Sequence, residues 1–310
     1  MRDLLKKLLP FLSFAFLFVL LSILSPYFLT IDNLSSVARQ TAVINIIAIG
    51  MTLVIISGGI DLSIGSVLAF SGVCGTLLMA KGLGIIPSTF LGTLSGIAWG
   101  LINGVIITQF KVPPFIATLG SMGMARGLTL LITDGIPVTA LPKNFGRLGD
   151  GNLFGIIPVP VVVLLGVGLM MSYVLHYTRL GRYAYAMGGS RQAAYLSGIA
   201  LTAYTLVIYS ILGALTGLAG MIEASRLVTG QPTAGEGYEL RVIAAVVIGG
   251  GSLNGGAGTV LGTTVGAFIM SLLNNGCNLL GISPFVQQIL IGAIIILAVA
   301  ADEFRRRRME

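Results

Sequence analysis

Near its start the chain reads LLPFLSFAFLFVLLSIL, residues 8–24, without one charged side chain. An apolar run of this length can cross the hydrocarbon core of a bilayer as a helix. The basic segment MRDLLKK precedes the run, as in a signal peptide, but no small-x-small cleavage site follows it. We therefore expect it to remain as the first transmembrane helix.

The composition indicates that the rest of the chain is also a membrane protein. Of its 310 residues 55% are apolar and only 9% are charged, and the mean hydropathy is +0.97. A soluble domain carries about 25% charged residues. Mostly apolar segments of spanning length occur at 8–28, 36–56, 62–80, 85–108, 115–132, 157–177, 203–222, 241–259, 260–280 and 284–301. The sequence predicts an all-α polytopic membrane protein with about ten transmembrane helices in a single domain, 1–310.

The basic residues indicate how the spans are oriented. With the N-terminus in the cytoplasm, the inner segments hold Arg2, Lys6, Lys7, Lys111, Arg179, Arg182, Arg191 and Arg305 to Arg308. The outer loops then hold Arg39, Lys81, Lys143, Arg147, Arg226 and Arg241, which are fewer. This excess on the inner side predicts that both termini are cytoplasmic. The net charge of +7 is thus a sign of topology, and we expect no nucleic acid partner.

One long polar segment interrupts the hydrocarbon sequence on the predicted cytoplasmic side. It reads TRLGRYAYAMGGSRQAAYLSGIA, residues 178–200, and carries three arginines. A membrane protein that keeps such a basic loop in the cytoplasm offers a surface to a soluble partner.

Two glycine-rich turns share one layout, with an apolar helix on either side. They are ISGGIDLSIGS at 56–66 and IGGGSLNGGAGT at 248–259, and both are predicted to face the cytoplasm. The second resembles a phosphate-binding turn, but the chain has no Gly-Lys pair, which a phosphate loop requires. We expect tight turns between packed spans, and rows such as Gly213, Gly217 and Gly220 to allow close helix packing.

No enzyme active site is expected, because no paired carboxylates, catalytic triad or metal-ligand cluster appears. His176 is the only histidine, and Cys74 and Cys277 lie apart within apolar segments. The chain is therefore predicted to bind no metal and no cofactor of its own.

Polar residues inside the spans have two possible roles. They form local structural contacts, or they line a path for a solute. Asp61 is expected to accept hydrogen bonds from the N–H groups that open the third helix, with a coupling-ion site as the alternative. Arg126 either snorkels or pairs with Asp134, or lines the path. The neutral candidates that would suit a polyhydroxylated solute are Asn45, Asn103, Asn274, Asn275, Asn278 and Gln287. Glu223 and Arg226, three residues apart, are expected to form a local pair.

Three stretches carry a resemblance to a known family. They are SGGIDLSIGS at 57–66, MGGSRQAAYLSGI at 187–199, and ASRLVTGQPTAGEGYELRVIAAVVIGGGSLNGGAGTVLGTTVGAFI at 224–269. The sequence resembles the permease subunits of bacterial ABC importers for ribose and related simple sugars. That branch also includes xylose, galactose, nucleoside and autoinducer-2 permeases, so the resemblance is less specific for the substrate. Tyr195 is a departure, since an arginine or another polar residue is expected there.

The resemblance implies an assembly in the inner membrane of a bacterium. Two permease chains, a homodimer or two related chains, would bind a separate ATPase subunit, which carries ATP and Mg, and an extracytoplasmic sugar-binding protein. A short coupling helix would fit a groove of the ATPase, and the matching residues are Gly189, Ser190, Arg191, Gln192, Ala193, Ala194, Leu196 and Gly198. On the outer face, Arg226 and Arg241 are candidates for docking the binding protein.

A self-sufficient secondary carrier or channel is the alternative function. An ion-coupled carrier usually shows a cluster of acids within the membrane. Here most of the 11 acidic residues lie in loops or at the ends of spans. The sequence therefore favours the ATP-driven importer, with ribose-like pentoses as the expected solutes.

Overall fold

The computed structural model describes residues 2–307, which form thirteen helices and one short two-stranded hairpin. In chain order the elements are α1 (Arg2–Leu24), α2 (Ile31–Ile56), α3 (Ile64–Ala80), α4 (Ile85–Gln109), α5 (Pro114–Thr133), α6 (Arg147–Asp150), β1 (Asn152–Leu153), β2 (Ile157–Pro158), α7 (Val159–Tyr177), α8 (Arg179–Gly189), α9 (Arg191–Leu196), α10 (Leu201–Leu227), α11 (Tyr238–Ile248), α12 (Val260–Leu279) and α13 (Pro284–Arg307). The antiparallel hairpin pairs Asn152 with Pro158 and Leu153 with Ile157. The predicted helical membrane protein is confirmed in outline.

Short polar residues and proline mark where several helices begin. The Thr30 hydroxyl accepts a hydrogen bond from the Asn33 N–H at 3.4 Å, which caps α2. The Thr259 hydroxyl caps α12 in the same way, accepting from the Gly262 N–H at 3.0 Å. Pro114 occupies the first position of α5, where its missing N–H costs no hydrogen bond.

Helix α2 lies at the centre of the bundle. All its residues from Thr41 to Ile56 are buried, and it packs against α7, α8, α10, α11 and α12. A helix that is apolar on every side is typical of such a central position. The other helices are arranged around it, and many of them leave large apolar side chains on the outside, as expected for a lipid-facing surface.

The predicted close packing at small residues is confirmed between α10 and its neighbours α3 and α4. A Cβ on Gly213 would collide with the carbonyl oxygen of Gly96 and lie 3.0 Å from the Gly100 Cα. A Cβ on Gly220 would collide with the carbonyl oxygen of Leu68. Backbones that approach this closely contribute dispersion energy, which holds helices together in lipid.

Six helices are long and apolar enough to cross a membrane: α2, α4, α5, α7, α10 and α12. Three shorter apolar helical segments, Leu9–Leu24, Ile64–Ala80 and Pro284–Leu297, match the predicted first, third and tenth spans. These lengths and compositions are those of a multi-pass membrane protein.

The prediction of a full helix over 241–259 is wrong. Only α11, Tyr238–Ile248, is helical there, and its 11 residues reach about 16 Å against a hydrocarbon core of about 30 Å. Gly249, Gly250 and Gly251 follow, and Gly250 adopts φ 90°, a left-handed conformation that ends the helix. The second glycine-rich turn therefore begins where its glycines predict, and the span predicted from hydropathy is cut short.

The chain before α11 is not helical and runs along α3 as a β-bridge followed by turns. Gly230 pairs with Val138 in a β-bridge and lies against Thr76 in the last turn and a half of α3. Gly235 then lies against Gly65 in its first turn. Non-helical backbone at this depth is tolerated where protein surrounds it. The region of the predicted eighth span is thus a non-helical segment followed by a short helix.

Candidate functional sites

The polar segment 178–200 is folded into two helices rather than an open loop. Helix α8 is followed by the six-residue α9, and Ser190 between them caps α9, its hydroxyl accepting from the Ala193 N–H at 3.2 Å. The turn after α9 is closed by Gly198, with φ 80°. The segment therefore presents a defined surface.

Nearly all of the predicted coupling residues are exposed on this surface. They are Gly189, Ser190, Arg191, Gln192, Ala193, Leu196 and Gly198. Leu196 is 77% exposed and its neighbour Tyr195 is 68% exposed, which is unusual for large apolar side chains outside a membrane-facing helix. Ala194 differs, because it is only 3% exposed and packs within this chain. It has no surface left to fill a groove in a partner.

Helix α8 is joined to both glycine-rich turns by close backbone contacts, which we call the glycine junction: Ile56, Gly58, Gly188, Gly255 and Gly256. A Cβ on Gly188 would collide with the Ile56 carbonyl oxygen and the Gly256 nitrogen. A Cβ on Gly255 would lie 2.8 Å from the Gly188 Cα. The Gly256 N–H also donates to the Ile56 carbonyl at 2.9 Å. The two turns therefore lie at the same end of the bundle, as predicted.

Tyr185 strengthens this connection between α8 and the second turn. Its hydroxyl donates to the Gly258 carbonyl oxygen at 2.7 Å. Burial raises the pKa of the Tyr185 phenol, so the hydroxyl keeps its proton and remains a donor. No sequence pattern indicates this bond, since the two residues are 73 positions apart.

The candidate path residues do not converge on one site. Asn274, Asn278 and Gln287 form a closed amide network, in which Asn274 Nδ2 donates to Gln287 Oε1 at 3.0 Å and Gln287 Nε2 donates to Asn278 Oδ1 at 2.8 Å. Asn275 exchanges two hydrogen bonds with Asn33 of α2, at 2.7 and 3.2 Å. These amides join α12 to α13 and to α2, in line with the structural reading of the sequence.

Asn103 lies in a separate buried cluster with Asp61. The Asp61 carboxylate accepts from the Ser63 N–H at 2.8 Å, from the Ser63 hydroxyl at 2.6 Å and from Asn103 Nδ2 at 3.1 Å. Asp61 thus binds Ser63, the residue just before α3, and not the N–H groups within the first turn of the helix that the sequence suggested. Asn45 is elsewhere again, on α2, where its Nδ2 donates to the Thr264 carbonyl at 3.4 Å.

The suggested pairing of Arg126 with Asp134 is wrong. Its guanidinium instead donates to the carbonyl oxygens of Pro232 and Ala234, the latter at 2.9 Å. These carbonyls belong to the turns before α11, where no helix satisfies them. Arg126 therefore supplies donors to non-helical backbone, which would otherwise be costly in a membrane.

The two docking candidates, Arg226 and Arg241, have different partners within the chain. Arg226 forms the predicted pair with Glu223, donating from Nε at 3.0 Å and from Nη2 at 2.8 Å, and Glu223 is only 5% exposed. The guanidinium of Arg241 lies 5.8 Å from the centre of the Tyr238 ring and is half-buried. The charge of Arg226 is thus paired with a carboxylate of this chain, whereas the guanidinium of Arg241 contacts an aromatic ring.

One cavity brings docking and path candidates together. It has a volume of about 50 Å³ and lies between α2, α10, α11 and α12. Arg226, Arg241, Asn274 and Asn275 line it. Sequence analysis missed Gln40 and Ser271, which also line it, although Ser271 lies three residues before Asn274 and so on the same face of α12.

Comparison with known proteins places this architecture in a family. A family model described as the permease component of the branched-chain amino acid transport system matches residues 33–299. The chain belongs to this permease family. It is therefore a membrane transport component and not an enzyme.

Individual relatives in this permease family are similar over nearly their whole length. The chain is 46% identical over 299 residues to the ribose import permease protein of Bacillus subtilis (strain 168), covering 96% of this chain and 92% of the relative. It is 46% identical to the ribose import permease protein of Escherichia coli (strain K12), covering 92% and 90%. The D-allose transport system permease protein of the same strain is 37% identical, covering 94% and 90%. No solved structure matches the chain significantly.

Proposed function

We propose that this chain is the membrane-spanning permease subunit of an ATP-binding-cassette importer for a monosaccharide, with a ribose-like pentose as the solute. A separate ATPase subunit binds ATP and magnesium in the cytoplasm, and an extracytoplasmic binding protein delivers the sugar. Two permease chains, in the simplest case two copies of this one, enclose the path in the inner membrane of a bacterium. The ribose and allose permeases that resemble this chain support the solute class.

The observation that carries the proposal is the position of α9 relative to the helix bundle. Its exposed side chains, including Arg191 and Leu196, face away from the bundle, and α8 rests on the glycine junction at the ends of α2 and α11. An ATPase that binds α9 would displace α8 and the glycine junction when it closes on ATP. Packed backbones transmit such a displacement as a rigid-body shift. The residues proposed to contact the ATPase are those exposed on and beside α9, without Ala194.

The proposed topology has ten crossings with both termini in the cytoplasm. The non-helical segment 229–237 and α11 together make the eighth crossing, and the other nine are apolar helices. Broken spans of this kind are typical of transporters, where they line the solute site. Both glycine-rich turns then face the cytoplasm, next to α8.

Reconstitution tests this function directly. The chain is purified from its native membranes, the proteins that accompany it are identified, and the complex is placed in proteoliposomes with ATP on the ATPase side. We expect an ATPase with phosphate loops to accompany the chain, and ribose uptake to require ATP and the binding protein. Uptake by the chain alone, without ATP, would establish a secondary carrier and overturn the proposal.

A further inference from the structure

The hairpin between α6 and α7 places large apolar side chains outside the bundle. Phe154 and Ile156 lie in its turn and are 86% and 81% exposed. Leu153 and Ile157 face each other across the two strands, and both are exposed as well. We call these residues, 153–157, the hairpin tip. Apolar side chains exposed together in this way mark a contact with a membrane or with another protein.

The turn at the hairpin tip has a backbone that does not suit phenylalanine. The Ile156 N–H donates to the Leu153 carbonyl oxygen at 3.2 Å, and the two residues between them have positive φ, 53° at Phe154 and 76° at Gly155. Turns with this pattern strongly favour Asn-Gly, because asparagine tolerates the left-handed conformation better than a bulky residue does. Phe154 therefore destabilises the isolated hairpin through both its backbone and its exposed ring. A residue that breaks a local rule in this way is expected where a function compensates for the cost.

The base of the hairpin is held against the bundle. The Val159 N–H, at the start of α7, donates to the Gly151 carbonyl oxygen at 2.9 Å. Arg39 of α2 donates from Nη2 to the side-chain oxygen of Asn152 at 2.8 Å. The Nε of Arg39 also lies 3.3 Å from a carboxylate oxygen of Asp150. These contacts fix the base on α2 and α7, so the hairpin tip projects from the bundle in a defined direction.

The hairpin tip is continuous in sequence with the apolar surface of α7. From Leu153 to Met171 the chain has no charged side chain, hydroxyl or side-chain amide. On α7 itself, Leu165, Leu169 and Met170 are exposed, as expected for a helix that faces lipid. No polar residue in this run marks the point at which the apolar surroundings end. The hairpin tip and the outer end of α7 therefore suit the same apolar medium.

The dimensions of the hairpin fit the outer boundary of a bilayer. Helix α7 begins at Val159, directly after the second strand, so the hairpin lies at the outer end of this span in the proposed topology. From Asn152 to the turn the hairpin extends about 10 Å, at about 3.3 Å per residue. Apolar groups at a membrane interface enter the lipid by about 5–10 Å. A protein-binding site has a polar rim around its apolar centre, whereas residues 153–158 include no polar side chain. These properties favour a lipid surface over a protein partner.

We propose that the hairpin tip is a membrane anchor, which inserts Phe154 and Ile156 among the acyl chains of the outer leaflet beside α7. Burial of the ring in lipid offsets the unfavourable backbone conformation of Phe154. The anchor fixes the outer end of α7, whose inner end continues into α8. A movement of α8 then tilts α7 about the anchored end. The proposal rests on α7 crossing the membrane and does not depend on the transported solute.

Tryptophan emission from the complete chain in lipid nanodiscs measures the depth of the hairpin tip. Trp99 is the only tryptophan of the chain, and Trp99→Phe removes its emission while keeping an aromatic ring beside Phe70. In that background Phe154→Trp reports on the hairpin tip. The matched control is Thr139→Trp, because Thr139 is an exposed polar residue in the same outer loop. Emission is compared between nanodiscs of ordinary phospholipid and nanodiscs of phospholipid with brominated acyl chains, since bromine quenches only a tryptophan close to it.

We expect brominated lipid to remove about half or more of the emission of Phe154→Trp, because a group about 5–10 Å inside the interface lies among the first acyl carbons. The control should lose almost none of its emission. Equal quenching at the two positions would overturn the anchor, as would quenching of the hairpin tip by aqueous acrylamide alone. If the sugar-binding protein then removes the acrylamide quenching, the hairpin tip contacts that protein instead. Protection from both quenchers would place it between two permease copies, which also contradicts the proposal.

Phe154→Asn tests the same contact through stability. Asparagine suits the positive φ, so this change should stabilise a hairpin whose tip has no partner. In a bilayer it also removes the buried ring, and we expect the midpoint of thermal unfolding in nanodiscs to fall by about 2 °C. Phe154→Leu keeps an apolar side chain and should stay close to the midpoint of the unmodified chain. A midpoint for Phe154→Asn equal to or above that of the unmodified chain would overturn the anchor.

Discussion

Gly188 on α8 packs directly on the carbonyl oxygen of Ile56, the last residue of α2, with no space for a side chain between them. The Cα atoms of Gly58 and Gly188 meet Gly255 at the same point. Three segments distant in sequence are therefore in backbone contact. Because packed backbones cannot be compressed, α8 cannot move without displacing the ends of α2 and the turn after α11.

Gly188→Ala is expected to separate ATP hydrolysis from transport. Its methyl group would push α8 away from Ile56, so a movement of α9 would no longer reach α11. Uptake per ATP hydrolysed by the reconstituted complex should fall at least tenfold, while the ATPase still accompanies the permease. Gly166→Ala is the matched control, since Gly166 on α7 has nothing near its Cβ position. Normal coupling in Gly188→Ala would show that the junction is only a packing contact.

Leu196→Asp is expected to weaken binding of the ATPase. Leu196 is 77% exposed, and a charged side chain in the centre of an interface costs more than about 1 kcal/mol, or at least about fivefold in affinity. The amount of ATPase that copurifies with the permease in mild detergent measures this. Arg182→Glu, an exposed charge reversal on α8 outside α9, should leave copurification unchanged. If both variants lose the ATPase equally, the contact is not specific to α9.

The sequence predicted those features that depend on local rules. The close approach of α10 to α4 follows from Gly213 and Gly217, because only small residues let backbones meet in lipid. The pair of Glu223 and Arg226 follows from their helical spacing. Hydropathy located nine of the ten predicted spans near the helices that the structure has.

The remaining features depend on contacts between distant segments. Hydropathy places a span over 241–259, but Arg126 binds the carbonyls of Pro232 and Ala234 and so stabilises a non-helical stretch before α11. No periodicity in the sequence reports such a long-range bond. Likewise the sequence around Gly188 is that of an ordinary loop glycine. Only the structure shows that Ile56 and Gly256 contact it.

Gln287→Leu is expected to destabilise the bundle without a specific effect on the ATPase. Gln287 is 6% exposed, and its loss removes the acceptor for Asn274 Nδ2 and the donor to Asn278 Oδ1. The expected cost is about 1 kcal/mol, in the range measured for polar contacts between membrane helices. The midpoint of thermal unfolding in detergent should fall. Gln288→Leu is the matched control because Gln288 is exposed. Equal midpoints for the two variants would mean that the amide network contributes no stability.

Arg226→Glu distinguishes a structural role from a docking role at the outer end of α10. Glu223 is buried and Arg226 is its ion-pair partner. Removing that partner leaves a buried charge unpaired and places a second acid beside it, at a cost of about 3 kcal/mol. We expect low expression and a lowered unfolding midpoint, because the variant cannot neutralise Glu223 within the chain. The exchange Glu223→Arg with Arg226→Glu keeps opposite charges three residues apart, so it should recover most of the stability and uptake. A stable Arg226→Glu chain that fails only to bind the sugar-binding protein, and is not rescued by the exchange, would instead assign Arg226 to docking.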